Sequence, residues 1–271
     1  MIRILSDLHF GYPSCRVQAV EQLAPLVEGV ERLIFNGDTV EMRFPEERAQ
    51  AEAAVKALRR FCRAAGAQPT FLTGNHDPLV SEIHHLELAD GAVLVTHGDI
   101  LFHGLSPWST EAPLLREAHD RELAGLAHPA NLTQRLQALR RAAMALEPLG
   151  AKLIPRVQPG LWRALAEHFW PLSRPFSILK GWARTPFLAN ALAARDLPQA
   201  RCVVVGHTHF SGVWRVGKRT IVNTGGFVPM GRPLAVDLEG ATLTVRHIVQ
   251  AHGLFWPGNV VARRQIGPIS R

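Results

Sequence analysis

The chain has 271 residues, 47% of them hydrophobic and 20% charged, which is enough apolar material for a large core and too much for a disordered segment. Its three cysteines, Cys15, Cys62 and Cys202, are odd in number and far apart, which excludes a disulfide framework and a C-x-x-C metal site and points to a reducing compartment. The net charge of +7 is uneven: residues 1–103 hold 9 basic and 14 acidic side chains, residues 104–200 hold 12 and 7, and residues 201–271 hold 9 and 2. A basic balance suits an anionic substrate, a membrane surface or nucleic acid, and equally a solvated arginine-rich surface.

Ile2-Arg3-Ile4-Leu5 reads as a first strand and runs straight into Asp7-Leu8-His9. Met1 to Ser6 is too short for the apolar region of a secretion signal, and no apolar run reaches the length of a membrane span, so a soluble cytoplasmic protein is expected. Val17 to Val27 has helical spacing, and Arg32-Leu33-Ile34-Phe35 is a second strand ending at Gly37-Asp38. Glu46 to Ala65 predicts a long helix. Thr70-Phe71-Leu72 is a third strand ending at Gly74-Asn75-His76-Asp77, and Val93-Leu94-Val95 another, ending at His97-Gly98-Asp99. In open α/β sheets, ligands bind beyond the carboxyl ends of strands, and that is where these polar motifs fall.

Residues 104–200 have a different texture. Leu132, Leu136, Leu139, Ala143 and Leu146 keep helical spacing, as do Leu161, Leu165 and Phe169, with frequent proline between. Several helices inserted between two strands are expected. Trp108, Trp162, Trp170 and Trp182 lie here, either as the core of the insertion or as a lid with an apolar, Arg-lined face. Cys202-Val203-Val204-Val205 is then a buried strand ending at Gly206-His207-Thr208-His209. Two hairpins follow, turning at Gly217-Lys218 and Glu239-Gly240, and residues 250–271 read as an extended tail. The whole predicts an α/β fold, either one mixed sheet or a two-sheet sandwich flanked by helices.

Five motifs thus offer carboxylate, imidazole and amide ligands, and no thiolate, at strand ends. That donor set suits Mn²⁺ foremost, with Fe, Zn²⁺ or Mg²⁺ as alternatives. In this order the motifs resemble the metal-binding signature of the calcineurin-like metallophosphoesterases over residues 1–103 and 201–248. The resemblance implies one domain spanning 1–271, a two-sheet sandwich with a helical insertion or lid at about 104–200, and a centre of two divalent metal ions. It implies that Asp7, His9 and His209 bind one ion, that Asn75, His97 and His207 bind the other, and that Asp38 bridges them. His76 would protonate the leaving oxygen or stabilise the transition state, and Asp77 would hold and polarise its imidazole. Asp99 would be a buried structural carboxylate. Many members carry Asp three residues after the bridging Asp, where this chain has Glu41. His84, His85, His103, His119, His128, His168, His247 and His252 stand outside these motifs and are expected to be structural or surface groups.

The implied activity is hydrolysis of a phosphoester or pyrophosphate by metal-activated hydroxide, on an anionic phosphate-containing substrate. The helical insertion before Gly-His-Thr-His also resembles UDP-2,3-diacylglucosamine pyrophosphohydrolases, which act on a lipid-sugar nucleotide at a membrane surface, although those typically have Arg where this chain has His76. With the apolar helices, tryptophans and basic balance of residues 104–200, a lid in peripheral membrane or lipid contact is expected, with arginines such as Arg116, Arg140 or Arg184 meeting phosphates or anionic headgroups. A nuclease or nucleotide phosphodiesterase is an alternative that lacks a recognisable nucleic-acid module. A non-catalytic scaffold should have lost ligands, and none is missing.

Overall fold

A computed structural model describes residues 1–12, 15–104, 112–146, 173–229 and 231–266. Two mixed sheets lie face to face with helices outside both. The first has strand order β11-β10-β9-β1-β2-β3. Its strands are β1 (Ile2–Leu5), β2 (Arg32–Asn36), β3 (Gln68–Leu72), β9 (Leu234–Glu239), β10 (Thr242–Ala251) and β11 (Leu254–Gln265). β1, β2 and β3 are parallel, with Ile4 opposite Ile34 and Ile34 opposite Thr70, and β9 joins β1 antiparallel. The second sheet has order β4-β5-β6-β8-β7. It is built from β4 (His85–Leu88), β5 (Val93–Thr96), β6 (Cys202–Val205), β7 (Gly212–Val216) and β8 (Arg219–Asn223). β5, β6 and β8 are parallel, with Val95 opposite Val204 and Val204 opposite Val222.

The strand sequences explain the layering. Successive side chains point to opposite faces, and these strands are apolar on both. Ile4, Ile34, Leu72 and Val236 from the first sheet meet Val93, Val95, Val204 and Val222 from the second. The alternate residues Leu5, Leu33, Phe35 and Phe71 face outward onto α1 (Ala24–Val27) and α2 (Arg48–Ala64). α2 returns Ala51, Val55, Leu58 and Cys62, three or four residues apart, as its buried stripe. On the far side, Leu94, Val203, Val205 and Ile221 are covered by α4 (Leu132–Ala145) and α5 (Ser173–Asp196), through Leu132, Leu136, Ala189, Leu192 and Ala193. α3 (Ala112–Ala124) packs on α4 through Leu115, Ala118, Leu139 and Ala142.

Two expectations change. The helical stretch from Val17 to Val27 is a 3₁₀ turn, Val20–Leu23, followed by the four-residue α1, which has Pro25 in its first turn. Residues 254–265 are no tail but β11, paired with β10 from Thr242↔Gln265 to Ala251↔Leu254. Its pattern was obscured by register shifts at Val245/Arg246 and Arg246/Ile248, and by Pro257 and Gly258 inside the strand. Of the insertion tryptophans, Trp182 lies on α5, while Trp108, Trp162 and Trp170, with the spacing at Leu161, Leu165 and Phe169, fall outside the described residues. Among the described residues, no helix is long and apolar enough to cross a membrane.

Candidate metal centre

The five motifs meet beyond the carboxyl ends of β1, β2, β3, β5 and β6. Asp7, His9, Asp38 and His209 bring one donor atom each to within 4.8 Å of one another, and Asp38, His97 and His207 do the same. Asp38 belongs to both clusters. Asn75 joins the second, with its Oδ1 2.8 Å from Nδ1 of His207 and 3.2 Å from Nε2 of His97. All seven residues expected as ligands are therefore together.

The backbone there is held in an unusual shape. Asp7 (φ 51°), His9 (φ 49°), Asp38 (φ 49°), His207 (φ 67°) and His209 (φ 56°) all adopt the left-handed region. Each such non-glycine residue costs about 1–3 kcal/mol and persists where the surroundings over-determine it. Neighbouring glycines make the room. A Cβ on Gly74 would collide with the Asp38 carboxylate, and one on Gly206 with that of Asp7. A Cβ on Gly37 would lie 2.6 Å from the His97 ring.

Backbone donors and acceptors aim the ligands. The His207 N–H donates to the Asp7 carboxylate at 3.1 Å, across the two sheets. The His76 N–H donates to Oδ1 of Asp38 at 2.8 Å. Nδ1 of His97 donates to the Asn36 carbonyl at 3.0 Å, which leaves Nε2 facing Oδ2 of Asp38 at 3.3 Å. Fixing one ring nitrogen in this way orients the other toward a cation.

Burial and the packed charges shift the titrating groups of the site strongly. Burial and the neighbouring His76 push the His9 imidazole down to about 3, and burial with His97 pushes His207 down to about 4. Burial also opposes charge on His97, but the Asp38 carboxylate prevails and raises it to about 10. Burial works against ionised Asp7 and Asp38 too. The bond to His209 still holds Asp7 below its ordinary value, and His97 and His76 hold Asp38 well below.

The expected partner of His76 is corrected. Asp77 does not hold its imidazole. The Asp77 carboxylate accepts backbone N–H groups from Asp38 (3.0 Å), Thr39 (2.7 Å) and Gly74 (2.8 Å), tying two ligand loops together. Burial beside Asp38 pushes it up to about 7. Nδ1 of His76 instead donates to Glu41 at 2.7 Å, and Arg43 grips the same carboxylate at 2.8 and 2.9 Å. Burial opposes charge on Glu41, yet His76 and Arg43 keep it well below the usual carboxylate range. Sequence singles out Glu41 as a departure from the family pattern but gives it no role toward His76. The signal was its place three residues after Asp38.

Asp99 is fully buried and paired with Arg140 of α4, which also donates to the Thr73 hydroxyl and carbonyl. Arg140 is therefore no surface contact for a phosphate, and the expectation for that residue is overturned by its burial.

No family model matches the chain, and no curated protein matches it. Solved structures overlap it loosely. One is a Streptococcus pneumoniae TIGR4 protein described as a predicted phosphoesterase: 15% identity, 97% of this chain and 96% of that chain covered, TM-score 0.40. A dimetal phosphatase from Danio rerio is 14% identical over 91% of this chain and 95% of that chain, with TM-score 0.46. Vps29 from Chaetomium thermophilum is 10% identical over 97% of both chains, with TM-score 0.47. At these identities and TM-scores the overlaps carry no functional argument.

Proposed function

We propose that this chain is a phosphohydrolase dependent on two divalent cations, Mn²⁺ foremost. One observation carries the reading: seven oxygen and imidazole donors from loops far apart in sequence converge around Asp38, five of them on left-handed backbone. The donor set fits hard-to-borderline cations, and Asp38 is positioned to serve both. Bound there, two cations supply Lewis acidity for a phosphoryl group and an activated water near neutral pH.

The chain's own residues do the rest. Asp7, His9 and His209 hold one side of the site, and Asn75, His97 and His207 the other. Glu41 fixes the His76 ring so that Nε2 faces the centre, 3.9 Å from Oδ2 of Asp38. From there the imidazole hands a proton to the leaving oxygen. Asp77 keeps the Asp38 and Gly74 loops in register through their N–H groups.

The test is a panel of p-nitrophenyl phosphate and bis-p-nitrophenyl phosphate across Mn²⁺, Mg²⁺, Zn²⁺ and Fe²⁺, with Asp38→Asn beside the wild type. A neutral amide bridges two cations poorly, so Asp38→Asn should stay folded, lose bound metal and lose most turnover. Near-wild-type activity in Asp38→Asn at saturating Mn²⁺ would sink the reading.

A finer reading has one observation in its favour. Phe176, Leu179 and Phe187 are exposed along α5, with Lys180 and Arg184 exposed beside them. An apolar stripe edged by cations suits an amphiphilic phosphate substrate at a lipid surface better than a nucleic acid. Replacing Phe176, Phe187 and Arg184 should reduce sedimentation with anionic liposomes and raise KM for a diacyl sugar nucleotide. Hydrolysis of a small aryl phosphate should not change. Equal effects on both substrates would remove the lipid reading and leave the phosphohydrolase.

A further inference from the structure

We propose that Trp182 is a positioning residue for the two-cation centre: its indole N–H holds the peptide between His207 and His209, and so ties both donor clusters to α5. The inference rests on the metal reading above and extends it to a residue outside the five motifs.

The sequence His-Thr-His places one ligand in each cluster on either side of a single residue. The orientation of Thr208 therefore sets both imidazoles at once. Thr208 is buried, and its other groups are taken: the hydroxyl accepts from Asn223 at 2.8 Å, and the N–H donates to the Gly206 carbonyl at 2.8 Å. Its carbonyl accepts from Nε1 of Trp182 at 3.1 Å, the one such donor among the described residues. His207 and His209, at φ 67° and 56°, both resist the shape this loop holds. A strained loop with a single bond at its central carbonyl depends on that bond.

Trp182 is itself placed with care. Its ring lies on Phe210, centroids 4.5 Å apart and planes 11° apart, and Phe210 faces Trp214 of β7 at 6.4 Å. Downstream, Ala189, Leu192 and Ala193 fasten α5 to the second sheet. Pro186 has no N–H to give the Trp182 carbonyl, so the helix ladder is interrupted at this residue. Stack and loop bond together hold the indole where the helix alone holds it less. Because coupling between two binding equilibria is reciprocal, whatever moves this part of α5 changes cation affinity, and cation binding in turn steadies α5.

The experiment titrates the metal-free full-length protein with Mn²⁺, following bound ion by calorimetry and by electron paramagnetic resonance. Trp182→Phe keeps a ring in the stack and removes the N–H. Trp214→Phe removes an indole from the same stack and leaves the loop bond alone. Trp182→Phe should weaken Mn²⁺ binding about tenfold or more, the usual scale for losing a contact behind the ligands. It should also alter the spin coupling between the two ions, while metal-free Tm falls no further than in Trp214→Phe. Two Mn²⁺ bound by Trp182→Phe with wild-type affinity would overturn the proposal. So would an equal affinity loss in Trp214→Phe, since the stack rather than the N–H would then be responsible. Wild-type protein that takes up no Mn²⁺ would instead overturn the metal reading itself, without reference to either variant.

Discussion

A glutamate at position 41 reaches one methylene further than an aspartate would, and that reach ends at Nδ1 of His76, 2.7 Å away. Residue by residue, this is where the site can be taken apart. His76→Ala should keep its metal and lose roughly 10²–10⁴-fold in rate on substrates with poor leaving groups, and less on activated aryl esters. Glu41→Gln, which removes the negative charge behind the ring but leaves an oxygen that can accept from Nδ1, should lose about 10- to 100-fold on the same poor leaving groups. Its Mn²⁺ content should be unchanged. Parallel loss of metal in Glu41→Gln would make Glu41 part of the cation site rather than the holder of His76. The ligand positions were legible in the sequence because each motif follows an apolar strand, four of the five contain a glycine, and cations need particular atom types. The role of Glu41 was not, because a carboxylate in a run of mixed residues carries no mark of its partner. Asp77 misled for the same reason: adjacency to His76 in sequence suggested contact, whereas the turn sends its carboxylate to backbone N–H groups.

Among the elements, α4 is attached to the centre by a single buried cation. Arg140 meets Asp99, on the loop after β5, and Thr73, on the loop after β3. Arg140→Met should cost about 3–5 kcal/mol, because it leaves the Asp99 carboxylate buried without its partner. Urea unfolding measures this as a lowered midpoint with an unchanged slope, and a shift below about 1 kcal/mol would mean that water replaces the guanidinium. Adding Asp99→Leu to Arg140→Met should recover part of the loss. The parallel strands were legible because they are apolar on both faces, and the hairpins because glycine marks their turns. β11 was not: with Pro257, Gly258 and a bulged partner, its pairing depends on β10, which periodicity within residues 254–265 does not reveal. The attachment of α4 was equally hidden, since an arginine on a helix reads as surface until the fold buries it.

For the molecule as a whole, the buried imidazoles set the pH range in which the metal-free form is stable. His9 and His207, held neutral down to about 3 and 4 when folded, take up protons on unfolding below about 6.5. Stability is therefore lost as pH falls through that interval. His97 has the opposite sign. Its folded value near 10 lies above the unfolded one, so its contribution is full below about 6.5 and is lost as pH rises toward 10. Tm measured against pH in chelator should peak near neutrality and decline on both sides. Loading with Mn²⁺ should abolish the alkaline decline, because a coordinated His97 has already given up its proton. A flat alkaline profile in the chelated protein would contradict the His97–Asp38 pairing. The Asp7–His207 bond has a kinetic consequence as well. It joins residues 200 positions apart and crosses from one sheet to the other. A cation cannot find its ligands until both sheets have docked, which is late in folding. Mn²⁺ should therefore leave the refolding limb of a chevron where it is and lower the unfolding limb, about a hundredfold for each bound ion at 100 times its Kd. The ion would act as a latch closed on a finished fold, and the time the protein survives would be set by how slowly that latch opens.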